Sequence, residues 1–256
     1  MKKLRVFILI FILLNLFTAC KNNTDLIRIA VIDTGINKEV LRKNTVLDGW
    51  NYVLRSDNTE DPDGHGTMVS SLIVGSKDGK IKGKSKKVNL IPLVCSGINE
   101  YGKEMKNTPS LAAQAIRDAI DKYNCKIINI SSGVLEDIEN LRAAVEYAEE
   151  KRVVVISSAG NDGNEEIYYP AGYDTVISVG SLDINGDIAE FSQKNNRGDV
   201  LVKGTDIKVI GNDGNVYRVD GTSFSCAYVT GEVANLLIDN PQLTTEELRQ
   251  YLSNKY

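Results

Sequence analysis

The sequence predicts an α/β fold: a three-layer, doubly wound, mostly parallel sheet with helices on both faces. Three observations carry this. Short runs rich in Val and Ile recur along the chain, each ending in Gly, Ser or Asp. Those runs are apolar almost throughout, as strands covered on both faces must be. Segments with helical spacing lie between them, and strands that alternate with helices argue for parallel pairing.

The elements follow in order. "LIRIAVIDTG" starts at Leu26 and stops at Asp33-Thr-Gly, so it reads as a buried strand. "GTMVSSLIVG" after His65 reads as a small-residue helix, and "VNLIPLV" (88–94) as the second strand. "SLAAQAIRDAIDKY" places Leu111, Ala115, Ile116 and Ala119 on one helical face, with Thr108 and Pro109 at its start. "CKIINIS" (125–131) is the third strand. "IENLRAAVEYAEEK" is a helix with Leu141, Val145 and Ala148 inward. "RVVVISSAG" (152–160) and "TVISVGS" (175–181) are two further strands. "TSFSCAYVTGEVANLLIDN" is rich in small residues and predicts a buried helix, and Thr244 with Glu247 forms a capping box for a last one. No Pro/Gly-rich linker divides residues 26–256, which read as one domain. Right-handed crossovers bring the strand C-termini to one edge, where sites form in open α/β sheets.

Thirty basic and 34 acidic side chains leave a net charge of −4, so nucleic acid is not an expected partner. Residues 1–19 have the layout of a signal peptide: Lys2, Lys3 and Arg5, then an apolar run to Phe17, then Thr18 and Ala19. Residues 20–25 are a short linker. The apolar run falls short of the roughly 30 Å bilayer core, which disfavours a permanent span. Cys95, Cys125 and Cys226 are an odd set, implying no closed disulfide framework and best read as buried free thiols.

Four side chains fall where the topology predicts a site. Asp33 ends the first strand. His65, the chain's one histidine, sits in "DPDGHGTMVSS". Asn161 follows "VVVISSAG", and Ser223 lies in "DGTSFSCA" at the head of a helix. A serine hydroxyl needs an adjacent base to attack. Neutral imidazole suits that task, a buried carboxylate fixes its tautomer, and an amide donor stabilises the oxyanion. Singly, each has a blander reading: turn former, satisfied histidine, left-handed turn residue, helix cap.

The order Asp, His, Ser is the one recorded for subtilisin. "VIDTGI", "DGHGTMVSS", "SSAGND" and "DGTSFSCAYVTG" together resemble the aspartate, histidine, oxyanion-asparagine and serine motifs of the subtilases, subtilisin-like serine proteases. The resemblance covers nearly the whole chain after the leader. It implies Asp33 as orienting carboxylate, His65 as base, Ser223 as nucleophile, and Asn161 with the Ser223 N–H as oxyanion hole. It also implies that Ser131, Ser132 and Gly133 face Ser158, Ala159 and Gly160 across the pocket for the residue before the scissile bond. The stretch after "VCSGINEYG" is expected to pair with an extended substrate. Tyr168 is placed at the floor of that pocket and Asp162 at its rim, where it would favour a basic residue.

The pattern departs from the family at several points. Phe224-Ser225-Cys226-Ala227-Tyr228 stands where relatives have Met-Ala-Ser-Pro-His. Cys226 is read as packing. The five residues before the first strand leave no room for a prodomain, which suggests an enzyme that folds unaided. The loop "GSKDGKIKGKSKK" (75–87) is a poor cation site, so no metal and no cofactor are expected. Its six lysines read as a solvated loop, or as attraction to anionic headgroups or an acidic substrate.

"LFTAC" resembles a lipobox, which implies lipidation of Cys20; Phe17 replaces the usual Leu, and ordinary cleavage nearby is the alternative. The expected product is a monomeric serine endopeptidase acting on peptides or proteins. It would be exported and lipid-anchored on the outer face of the bacterial cytoplasmic membrane, and otherwise secreted. Within that reading, maturation of a lantibiotic-type peptide competes with general surface degradation. The rival is a non-catalytic peptide-binding or immunity lipoprotein. An α/β-hydrolase esterase is disfavoured, because its nucleophile precedes the acid and histidine. On general grounds the rate is expected to rise with an apparent pKa of about 6–7.5 as His65 becomes neutral.

Overall fold

A computed structural model describes residues 26–98, 104–105, 108–195 and 198–256. The expected signal peptide, linker and Cys20 lie outside the described residues, as do residues 103, 106 and 107 in the stretch expected to meet substrate.

Seven parallel strands form one sheet, ordered β2-β3-β1-β6-β7-β8-β9. They are β1 (Ile27–Asp33), β2 (Trp50–Asn51), β3 (Val88–Val94), β6 (Ile127–Ile130), β7 (Val154–Ser158), β8 (Val176–Leu182) and β9 (Val200–Lys203). Two ribbons stand apart: β4 (Gly97–Ile98) with β5 (Glu104–Met105), and β10 (Ile207–Ile210) with β11 (Val216–Val219). The helices are α1 (His65–Val74), α2 (Pro109–Asp121), α3 (Glu139–Glu150), α4 (Thr222–Asp239) and α5 (Thr245–Lys255). Among the described residues no helix is long and apolar enough to cross a membrane.

Side chains alternate along each strand, so the sheet feeds two cores. Ile29 and Val31 join Val69, Ile73, Val229, Val233 and Leu252 on the face covered by α1, α4 and α5. Ala30 and Ile32 join Ala115, Ile116, Ala119, Leu141 and Val145 beneath α2 and α3. This is why the strands lack a polar face. Local chemistry sets the helix ends: Thr108 accepts from the Leu111 N–H with Pro109 in the first turn, and Thr244 and Glu247 complete their capping box. The three thiols are buried and free.

The chain runs from β1 outward to β3, then crosses back over β1 to β6 and onward to β9. The winding therefore reverses at β1, and a crevice opens past its carboxyl end. Asp33 is the last residue of β1.

Candidate active site

Three segments converge on that crevice. Thr34, directly after β1, donates its hydroxyl to Asp61 at 2.8 Å and accepts the Gly66 N–H at 2.9 Å. This draws the head of α1 over the end of β1. Gly66 can hold no side chain there, because a Cβ would lie 2.2 Å from the Gly35 carbonyl oxygen. The result is a 2.7 Å contact between His65 Nδ1 and Asp33 Oδ1, which also accepts the Thr34 N–H at 2.8 Å. Asp33 is buried and His65 partly exposed. The adjacent Asp33 charge raises the imidazole to about 9, overcoming its burial, with smaller help from Asp63 and Asp61. This lies above the range of about 6–7.5 expected for an unperturbed histidine.

Helix α4 brings the third segment. Gly221 precedes it at φ 150°, and Thr222 and Ser223 form its first turn. Ser223 is buried at 6% exposure, and among the described residues its hydroxyl has one hydrogen-bond partner, the Ser131 carbonyl at 3.5 Å. The next residue, Phe224, lies at a tilt against the His65 ring with centroids 5.9 Å apart, which brings the first turn of α4 to the imidazole. Asn161 follows β7, and its Oδ1 accepts both the N–H and hydroxyl of Thr222 at 2.9 Å. That pair fixes the amide flip, and Nδ2 is left facing the Gly221–Ser223 turn, 3.9 Å from where a Gly221 Cβ would stand.

Ser131, Ser132 and Gly133 continue from β6, and Ser158, Ala159 and Gly160 end β7 and follow it. These segments leave neighbouring strands, and the Ser131 carbonyl lies 3.5 Å from Ser223 Oγ. Tyr168 lies between the two segments. Its hydroxyl donates to Asp162, an exposed carboxylate.

One residue escaped the sequence reading. Asp61 is buried and accepts four hydrogen bonds, from Thr34 Oγ1, the Gly64 N–H, and the N–H and hydroxyl of Thr67, all at 2.6–2.8 Å. It ties the residue after Asp33 to both flanks of His65. Burial pushes its carboxyl above the usual range against the pull of those bonds. The available signal was a carboxylate four residues before the histidine, beside a proline.

Among the described residues no group of three or more His, Cys, Asp or Glu side chains is placed to hold a metal ion. In the lysine-rich loop, Lys84 pairs with Glu232 at 2.6 Å and Lys80 with Asp78 at 2.8 Å. Lys84 is thus a structural cation, braced also by the Tyr228 hydroxyl. Cys226 is wholly buried, its thiol 3.3 Å from Asn129 Oδ1, in keeping with packing.

Comparison with known proteins agrees with this geometry. Residues 25–256 match the model described as the subtilase family. The chain is 30% identical over 219 residues to the major intracellular serine protease of Bacillus subtilis (strain 168), covering 81% of this chain and 67% of that one. A solved structure titled S41 psychrophilic protease superposes with a TM-score of 0.78 at 26% identity, over 90% of this chain and 83% of that one. The prenylagaramide maturation protease PagA superposes with a TM-score of 0.73 at 25% identity, over 88% and 80%. This chain belongs to the subtilase family of serine proteases.

Proposed function

We propose that Asp33, His65 and Ser223 form the catalytic triad of a serine endopeptidase, with Asn161 and the Ser223 N–H as its oxyanion hole. The observation that carries the reading is the 2.7 Å bond between His65 Nδ1 and Asp33 Oδ1. It leaves Nε2 as the basic atom and gives the imidazolium a charged partner when it forms. The Ser223 hydroxyl turns from the Ser131 carbonyl to His65 as substrate binds, and apo sites commonly tighten in this way. Ser223 Oγ attacks the scissile carbonyl while His65 takes its proton. The oxyanion falls near Asn161 Nδ2 and the first turn of α4, whose dipole favours negative charge. His65 returns the proton to the leaving amine. Water then repeats the sequence on the acyl-enzyme. All four groups come from one chain, so a monomer suffices.

The enzyme is exported, with Cys20 as a lipid anchor to the outer face of the cytoplasmic membrane. Support for this is the basic start, apolar run and "LFTAC" ending of residues 1–20. The role is maturation of a secreted peptide, a reading supported by likeness to the prenylagaramide maturation protease PagA.

Product mass spectrometry on a peptide library and on casein tests the activity. Cleavage confined to one sequence context, and lost in Ser223→Ala, is expected. Broad casein digestion points to degradation, and no cleavage at all to the non-catalytic alternative. Globomycin is expected to block processing at Cys20; unaffected processing contradicts the anchor.

A further inference from the structure

The residue before the scissile bond has a defined place if Ser223 attacks as proposed, and this inference rests on that reading. The family resemblance implies that its side chain enters the cleft between residues 131–133 and 158–160. Two glycines line the cleft, and the missing Cβ atoms of both aim at one ring. A Cβ on Gly160, at φ 114°, would lie 2.8 Å from Tyr168 Cδ2. A Cβ on Gly133 would lie 3.1 Å from Tyr168 Cβ and 3.5 Å from its Cδ1. The tyrosine therefore touches both walls and spans the gap.

It is also held there. Tyr169 pairs with Val134 in both directions, at 2.7 and 2.9 Å, which ties the tyrosine's neighbour to the first wall. The hydroxyl of Tyr168 donates to Asp162. The Asp162 N–H in turn donates to Gln193 Oε1 at 2.9 Å, and Gln193 Nε2 donates to Asn164 Oδ1 and the Glu166 carbonyl at 2.6 and 3.0 Å. Gln193, which anchors this brace, is 4% exposed. The bond to Asp162 raises the phenol to about 12, and the ring stays neutral wherever the enzyme works.

We infer that Tyr168 plugs the cleft for the residue before the scissile bond and restricts this enzyme to Gly, Ala or Ser at that position. A longer side chain must displace a ring fixed at both ends.

A peptide library varied at that position tests this, with wild type, Tyr168→Ala and Tyr168→Phe compared by kcat/KM and each checked for folding by thermal melting. Wild type and Tyr168→Phe are expected to favour Gly, Ala and Ser over Leu, Phe and Lys by about 100-fold or more, the scale of discrimination that a blocked pocket gives. Tyr168→Ala is expected to gain at least about tenfold on Leu and Phe relative to Ala. A wild-type preference for a large or basic residue overturns the inference. So does an unchanged profile in a folded Tyr168→Ala. If folded wild type neither cleaves nor takes the fluorophosphonate, the endopeptidase reading itself fails, which is distinguishable from a labelled enzyme with the wrong preference.

Discussion

At the scale of single residues, charge placement sets the working pH. His65 titrates at about 9 because Asp33 lies against it. Its folded value lies above the ordinary histidine value of about 6.5. The stabilisation from the pair is therefore full below about 6.5 and is lost as pH rises through about 9. Catalysis needs the neutral ring, so activity rises across the same window in which that stabilisation falls. A pH series should show kcat/KM climbing to a plateau above about 9, and Asp33→Asn should move the midpoint down toward 6.5. A midpoint that stays put in Asp33→Asn contradicts the assignment. Asp61 acts through His65 and Asp33 as a positioning residue. Asp61→Asn turns an acceptor into a donor facing the Thr34, Gly64 and Thr67 donors. It should lower kcat about tenfold with KM little changed, and shift the pH midpoint downward; an unchanged pH profile contradicts this role. Asn161→Ala should cost on the order of 10²–10³ in kcat, as loss of one oxyanion donor does. The four motif residues were legible because their chemistry and order fit one mechanism. Asp61 was not, since an acidic residue beside proline and glycine reads equally well as a turn.

At the scale of elements, helix α4 decides whether Ser223 stays in place. Its buried side docks on β6 and β8 through polar side chains inside an apolar core. Thr230 donates its hydroxyl to Asn129 Oδ1 at 2.8 Å, and Asn129 Nδ2 donates to Ser131 Oγ at 3.1 Å. Ser225 and Ser181 share a hydrogen bond at 2.9 Å. Asn129 is fully buried in the middle of β6, so removing it leaves Thr230 without its acceptor. Asn129→Ala should cost about 1–3 kcal/mol, read as a lower urea midpoint with an unchanged slope. Activity should fall as well, because the same residue braces the Ser131 wall. Neutral behaviour in both would contradict the docking role. The five strands and five helices read from sequence follow from apolar runs and caps, and β3 matches residue for residue. Six strands were missed for physical reasons: β2, β4 and β5 are only two residues each. β9 is only four residues long, and the β10–β11 ribbon turns Val216, Tyr217 and Arg218 to solvent, so neither shows a buried-strand signature.

At the scale of the whole molecule, one sheet separates two cores, and each thiol is sealed within this arrangement. Burial pushes Cys125 up to about 12, and Cys95 and Cys226 higher still. Iodoacetamide mapping by peptide should leave all three unlabelled in native buffer and modify them together on unfolding. Selective native labelling of one would reveal local opening instead. The convergence of β1, α1 and α4 at one edge of that sheet is the central claim, and the most direct test of it is the site of covalent capture. Folded protein treated with a fluorophosphonate and mapped by mass spectrometry should carry one adduct, on Ser223, and His65→Ala should abolish it. An adduct on another serine, or none on folded wild type, would contradict the account.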